Sequence, residues 1–264
     1  MRLATFLPPG SSDPVAGEVR GDEIVAFREG TVRDRLASGD RTPADGDSHP
    51  LADVTLLAPV PDPGATYCIG LNYAEHAREQ GSELPEFPMV FLKLPHSIVP
   101  PGGPVRRPRA TERLDYEAEL VLVIGADGQI AGYAVADDVS ARDLQRAESQ
   151  WTRAKGFDTS CPWGPWITTT DEVADVEALW IRSWVNGEIR QDSTTAELIH
   201  GPQAIVEFIS ATCTLDPGNI ILTGTPSGVG MAMDPPRFLA AGDVVRIEIA
   251  GLGAIEHEVR IWGA

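Results

Sequence analysis

Asp115-Tyr-Glu117-Ala-Glu119-Leu-Val-Leu-Val-Ile124 is the stretch on which the reading of this chain turns. Side chains alternate along an extended strand, so Asp115, Glu117 and Glu119 share one face while Tyr116, Ala118, Leu120 and Leu122 share the other. Leu120 to Ile124 is apolar on both faces, the pattern of a central strand rather than a water-exposed edge. Carboxylates carried together into a core repel one another and lose hydration, at a cost of several kcal/mol per ion. A divalent cation offsets that cost, and oxygen donors select a hard one, Mg²⁺ or Mn²⁺, with Ca²⁺ as an alternative. The plainer reading leaves the acids at the solvated start of the strand.

Working outward, 264 residues suit one large domain or a large domain with a small appendage. A hydrophobic content of 42% with 23% charged residues describes a globular chain with a substantial core. Apolar runs fall far short of the ~20 residues that cross a bilayer. The opening Met-Arg-Leu-Ala-Thr-Phe-Leu-Pro-Pro-Gly shows no secretory pattern, so a cytoplasmic location is expected. Three cysteines, Cys68, Cys161 and Cys213, lack metal-type spacing and read as reduced thiols. A net charge of −18 opposes binding to nucleic acid and to anionic membranes. An anionic substrate therefore needs local positive charge. The chain holds only two lysines, Lys93 and Lys155, although Lys and Arg together number 21. A compact ammonium is chemically unlike a guanidinium fork, so both lysines are candidates for specific roles.

Residues 1–57 read as a small N-terminal β-rich domain, with short apolar pieces between Gly, Asp, Ser and Pro turns. The Pro-rich run 58–64 marks a boundary, and residues 58–264 form the second domain. There, strands are expected at 66–70, 89–92, 116–124, 129–136 and 219–223. A hairpin is expected around Asn186-Gly187, and a closing hairpin at 244–249 and 255–261. Helices are expected from Asn72, after Ser140 and over 204–212. Strands outnumber helices without alternating with them, which predicts an α+β, strand-dominated mixed roll rather than a doubly wound sheet.

Four constellations carry chemistry. In Gly70-Leu-Asn72-Tyr-Ala-Glu75-His76-Ala-Arg-Glu79, Asn72 and Glu75 have capping-box spacing. His76 and Glu79 then fall on one helical face, as a base supported by an acid. Gly81 ends the helix early, leaving a short element suited to a lid. In Asp137-Asp138-Val-Ser140-Ala-Arg142-Asp143-Leu-Gln145, Ser140 and Asp143 repeat the capping spacing. Asp138 lies just before the helix, and Arg142 and Gln145 share one of its faces. Glu117, Glu119 and Asp138 would give three carboxylate ligands and leave coordination positions open. An ordinary salt bridge is the alternative role for Arg142. Lys155 lies in a stretch punctuated by Gly and Pro. In Thr223-Gly224-Thr225-Pro226-Ser-Gly228-Val-Gly230 a strand runs into a glycine-rich turn without the Gly-Lys-Ser/Thr ending of a nucleotide loop. Its amides and the Thr225 hydroxyl could hold a substrate carboxylate.

From about Leu51 onward the ordered set resembles the fumarylacetoacetate hydrolase family. The resemblance rests on Gly-Leu-Asn-Tyr-x-x-His-x-x-Glu, Asp-Tyr-Glu-x-Glu-Leu, Asp-Val-Ser-Ala-Arg-Asp-x-Gln, Lys-Gly-Phe-Asp-Thr and Thr-Gly-Thr-Pro-x-Gly-Val-Gly. It implies a mixed β-sandwich roll, often preceded by a small N-terminal domain, and a homodimer. It implies Mg²⁺ or Mn²⁺ on Glu117, Glu119 and Asp138, and a base dyad of His76 and Glu79 on a mobile lid. Lys155, Arg142, Gln145, Thr225 and Gly224 would surround a small anionic oxo acid. His257 stands where relatives commonly carry Asn, and His96 is an unusual continuation after Lys93. Both departures bear on substrate identity rather than on the metal site. The expected reaction is metal-dependent hydrolysis of a carbon–carbon bond in a 2-oxo or 1,3-dicarbonyl acid. The alternative is tautomerisation, isomerisation or decarboxylation of a 2-hydroxydienoate or 2-oxo diacid at the same residues.

Overall fold

A computed structural model describes residues 1–263. The apolar run after Glu119 forms the strand Ala118–Ile124, every residue of which is buried. It pairs antiparallel with Ile130–Asp137 on one side and with Ile220–Leu222 on the other. Sheet growth continues from there through Thr66–Gly70 to an edge at Met89–Lys93, and in the other direction through Cys161–Thr169. The pairing of Thr66–Gly70 with Ile220–Leu222 is parallel, so the twelve-stranded sheet is mixed.

A second sheet of five strands is built on the two expected hairpins, Trp180–Val185 with Glu188–Thr194 and Val244–Ile249 with Gly253–Ile261. Asn186 and Gly187 both take positive φ, 52° and 79°, as a two-residue hairpin turn requires. The sheets meet through one apolar core. Leu120, Leu122 and Val135 come from the large sheet, and Ile181, Val245, Ile247 and Val259 from the small one. Val121 and Val123, on the opposite face, enter a second core with Trp163 and Ile167. Burial on both faces is why the sequence shows a continuous apolar run here rather than an alternation.

Residues 1–57 do contain short strands, as expected, but they do not fold back on themselves alone. Arg2–Leu7 pairs antiparallel with Cys161–Thr169 and extends the large sheet through Val15–Arg20 and Glu23–Ala26 to Ser48–Pro50. Leu3, Val25 and Leu36 share the second core with Val121 and Trp163. Sheet and core thus run on across the expected 57/58 boundary. Among the described residues no helix is long and apolar enough to cross a membrane.

Candidate active site

Register assembles the acidic centre. Ala118 lies opposite Asp137, and one step further the Asp138 N–H donates to the Glu117 carbonyl at 3.0 Å. Two residues distant in sequence are thereby fixed side by side. Glu119 joins them because it lies two residues beyond Glu117 on the same face. One carboxylate oxygen from each of Glu117, Glu119 and Asp138 lies within 4.8 Å of the other two, and all three side chains are buried.

Both lysines of the chain converge on Asp138. Lys93 Nζ lies 2.7 Å from Oδ1 and Lys155 Nζ 2.8 Å from Oδ2. Lys155 also reaches Glu117 Oε2 at 2.6 Å. Lys93, on the inward side of the edge strand, is further held by the carbonyls of Lys155 and Ser160. Arg142 donates to Asp115 Oδ2 at 2.8 Å and lies 2.6 Å from Glu117 Oε1. The salt-bridge role weighed for Arg142 is therefore realised, with two acids at once. Burial alone would push the Glu117 carboxyl up, but Arg142 and Lys155 hold it well below the ordinary carboxylate range. Burial likewise disfavours charge on Lys155, and Asp138 and Glu117 more than offset it, raising the ammonium's pKa.

Glu119 differs. Among the described residues its one hydrogen bond is from the Gly224 N–H, at 2.6 Å, and it forms no ion pair, Lys155 acting on it only from further off. Burial, reinforced by Asp138 and Glu117, drives its pKa well above the usual value. With all of them ionised, as metal binding requires, five buried carboxylates (Asp115, Glu117, Glu119, Asp137 and Asp138) would exceed three permanent cations (Lys93, Arg142 and Lys155) by two negative charges. A hard divalent cation among Glu117, Glu119 and Asp138 matches that excess, the donor chemistry and the lack of any cation on Glu119.

Facing the acids is the short helix Ala74–Glu79. His76 Nδ1 lies 2.7 Å from Glu79 Oε1, and His76 Nε2 lies 2.6 Å from the Gln80 amide nitrogen. These partners assign the proton to Nδ1, leaving Nε2 as the acceptor. Glu79 Oε2 accepts from the Gly228 N–H at 3.1 Å, which ties the helix to the glycine-rich turn. His76, Glu117, Glu119, Arg142, Gln145, Lys155 and Thr225 all line one cleft of about 240 Å³, whose walls also carry Ile69, Phe91, Trp151 and Met231.

Several expectations are corrected. Asn72 does not cap the helix: the N-cap is Tyr73, without a side-chain bond. Buried Asn72 instead donates to the Thr223 carbonyl at 2.8 Å and exchanges bonds with the backbone of His200. Ser140 is likewise no cap. It sits in the two-residue strand Ser140–Ala141, and Asp143 accepts from Thr111 and from the Glu112 N–H. The Gly224 amide, expected to meet a substrate carboxylate, is taken by Glu119, and Gly224 is not among the cleft-lining residues. Thr225 lines the cleft, and its Oγ1 accepts from the Gln191 amide at 2.7 Å. His96 and His257 do not line the cleft either. His96 pairs with Asp158 on the surface at 3.2 Å, and His257 is buried behind the acids.

Sequence reasoning missed the layer behind the acids. Asp137 Oδ1 accepts from the Glu117 N–H at 2.8 Å, and its Oδ2 lies 3.0 Å from His257 Nε2. The Asp137-Asp138 doublet on an alternating strand was the available signal, since its two side chains must face opposite ways. His257 stood out only as a departure from relatives, and nothing local linked it to Asp137, which it reaches from the other sheet.

A strand-dominated roll carrying a buried acidic triad opposite a histidine–carboxylate dyad defines a class of enzyme. Residues 65–260 match the fumarylacetoacetate (FAA) hydrolase C-terminal family. The chain is 44% identical over 229 residues to the mitochondrial oxaloacetate tautomerase fahd2 of Xenopus laevis, covering 81% of this chain and 72% of that one. Among solved structures, 2-hydroxyhepta-2,4-diene-1,7-dioate isomerase from Mycobacterium marinum superposes with a TM-score of 0.83 at 38% identity, over all of both chains. The 5-carboxymethyl-2-hydroxymuconate delta-isomerase from Mycobacterium smegmatis gives 0.84 at 37%, over 99% of this chain and 100% of that one. The protein belongs to the fumarylacetoacetate hydrolase family, which is a family of enzymes.

Proposed function

We propose that the protein is a divalent-metal-dependent isomerase or tautomerase of a 2-hydroxydienoate or 2-oxo diacid. The observation that carries this is the opposition of His76–Glu79 and the Glu117–Glu119–Asp138 triad across one cleft. When bound at the triad, Mg²⁺ or Mn²⁺ supplies a positive centre that favours the negatively charged form of an oxo acid. Once the Gln80 amide withdraws from it, His76 Nε2 takes a proton from the carbon next to the oxo group, while Glu79 on Nδ1 stabilises the resulting imidazolium. The same imidazolium returns the proton at another atom of the conjugated system, so no bond between carbons breaks. Lys155 and Arg142 act by holding Glu117 and Asp138 in place. Phe91, Trp151 and Met231 provide an apolar wall against bulk water, which favours proton return over attack by water.

The hydrolytic reading expected first uses the same groups with water as the nucleophile. Relatives named as isomerases and tautomerases support the alternative instead. Incubation with Mg²⁺ and a panel of 2-hydroxydienoates, oxo diacids and acylpyruvates separates the outcomes. An isomeric or tautomeric product supports the proposal; two carboxylic fragments, or CO₂, would overturn it. The reading also takes a second copy of the chain as partner, since the edge strand Met89–Lys93 presents Val90 and Leu92 to solvent. Buried Cys68 and Cys161 suit a reducing compartment such as the cytoplasm.

A further inference from the structure

Arg142, Arg146, Lys155 and His76 are the basic side chains lining the cleft. Three of them are committed. Arg142 holds Asp115 and Glu117, Lys155 holds Glu117 and Asp138, and His76 is engaged by Glu79. Arg146 is the exception: among the described residues it makes no ion pair or side-chain hydrogen bond, although acidic residues outnumber basic ones 39 to 21 in this chain. It lies four residues after Arg142 in the helix Arg142–Ala147, hence on the same face and one turn on. Arg142 is buried and Arg146 exposed, so the pair runs from the floor of the cleft to its mouth.

We infer that Arg146 is a specificity-determining residue that binds a second, distal carboxylate, so that the cleft selects oxo diacids over monoacids of equal length. The inference rests on the oxo-acid reading above. A ligand with its oxo and first carboxylate groups at the acidic triad leaves its far end toward the mouth. An anionic far end meets no free cation there except Arg146. A guanidinium fork is also the side chain best matched to a carboxylate.

The test compares matched ligands on the full-length, Mg²⁺-loaded protein: 2-oxoglutarate against 2-oxopentanoate, and 2-oxoadipate against 2-oxohexanoate, with binding measured by calorimetry. The wild type is expected to prefer a diacid over its matched monoacid. Arg146→Gln should weaken the preferred diacid about ten- to hundredfold, the range of one charge-assisted hydrogen bond, and leave the monoacids unchanged. Arg146→Lys should fall between. Equal losses on diacid and monoacid, or an unchanged diacid preference in Arg146→Gln, would overturn the role of Arg146 alone. Failure of the wild type to bind any of the four acids in a Mg²⁺-dependent way would overturn the oxo-acid reading and this assignment with it.

Discussion

Lys155 sits between Glu117 and Asp138, where its ammonium already offsets part of the charge that a metal would meet. Lys155→Met removes that competitor and raises the local excess from two negative charges to three. Mg²⁺ affinity should rise about tenfold while turnover falls at least about a hundredfold, because Glu117 and Asp138 each lose one of the two cations that fix them, keeping Arg142 and Lys93 respectively. Without metal, two buried carboxylates are left short of a partner, which costs on the order of 3–5 kcal/mol. Thermal melts should therefore show a marked loss of stability that saturating Mg²⁺ largely restores. Loss of metal affinity together with activity would instead show that holding Glu117 and Asp138 in place outweighs the charge competition with the metal. At this scale the sequence was most informative: the spacing of Glu117 and Glu119, the Asp138 loop and the rarity of lysine each pointed at the centre. Chemistry remains visible in a sequence when it needs a particular residue type. The thiols offer a second check. Cys161 is pushed up to about 12 by burial, Cys68 lies well above its ordinary value for the same reason, and Cys213 is exposed. A disulfide reagent at neutral pH should titrate one thiol in the native protein and three in denaturant; three fast native thiols would contradict the burial.

Between elements, the site depends on contacts that no local pattern encodes. Gly224, two residues past the strand Ile220–Leu222, has φ of +100°, and a Cβ there would lie 2.8 Å from the Asn72 Cβ and 3.1 Å from the Ile69 carbonyl. Gly224→Ala should lower stability by about 1–3 kcal/mol in urea titrations. It should also weaken Mg²⁺ binding by displacing the amide that holds Glu119. His257 reaches from the small sheet to Asp137, whose other oxygen holds the Glu117 backbone. His257→Leu should lower Mg²⁺ affinity about ten- to hundredfold by calorimetry, with His257→Asn retaining more of it because it keeps a polar group facing Asp137. Equal affinity in all three proteins would confine His257 to packing. Both capping boxes misled for one physical reason. In both, another backbone group takes the side chain: the distant Thr223 carbonyl for Asn72, and for Ser140 the Asp138 carbonyl two residues earlier.

For the whole molecule, a charge of −18 is distributed so that the deepest acids are offset in part by Lys93, Arg142 and Lys155, while the cleft mouth keeps Arg146. Sheet class and strand positions were legible because alternation and apolar runs are local. The continuation of residues 1–57 into the large sheet was not, since the register of Arg2–Leu7 against Cys161–Thr169 joins residues more than 150 apart. Edge strands leave unpaired backbone groups that native proteins usually shield with charge, proline or a partner. Met89–Lys93 is an edge with little such shielding. Phe91 and Lys93 turn inward to the cleft and the acids, while Leu92 is 50% exposed, and nearby Leu84 and Phe87 are 52% and 62% exposed. A second copy is the expected cover, so light scattering should return about twice the 28.3 kDa chain mass. Leu92→Lys should shift the protein to a monomer at micromolar concentration, because an ammonium would have to be buried at the contact. Since Leu92 faces away from Phe91 and Lys93, Mg²⁺ binding should survive the substitution if each cleft is complete in one chain. A wild type that scatters as a monomer would remove the dimer from the account while leaving the catalytic cleft intact.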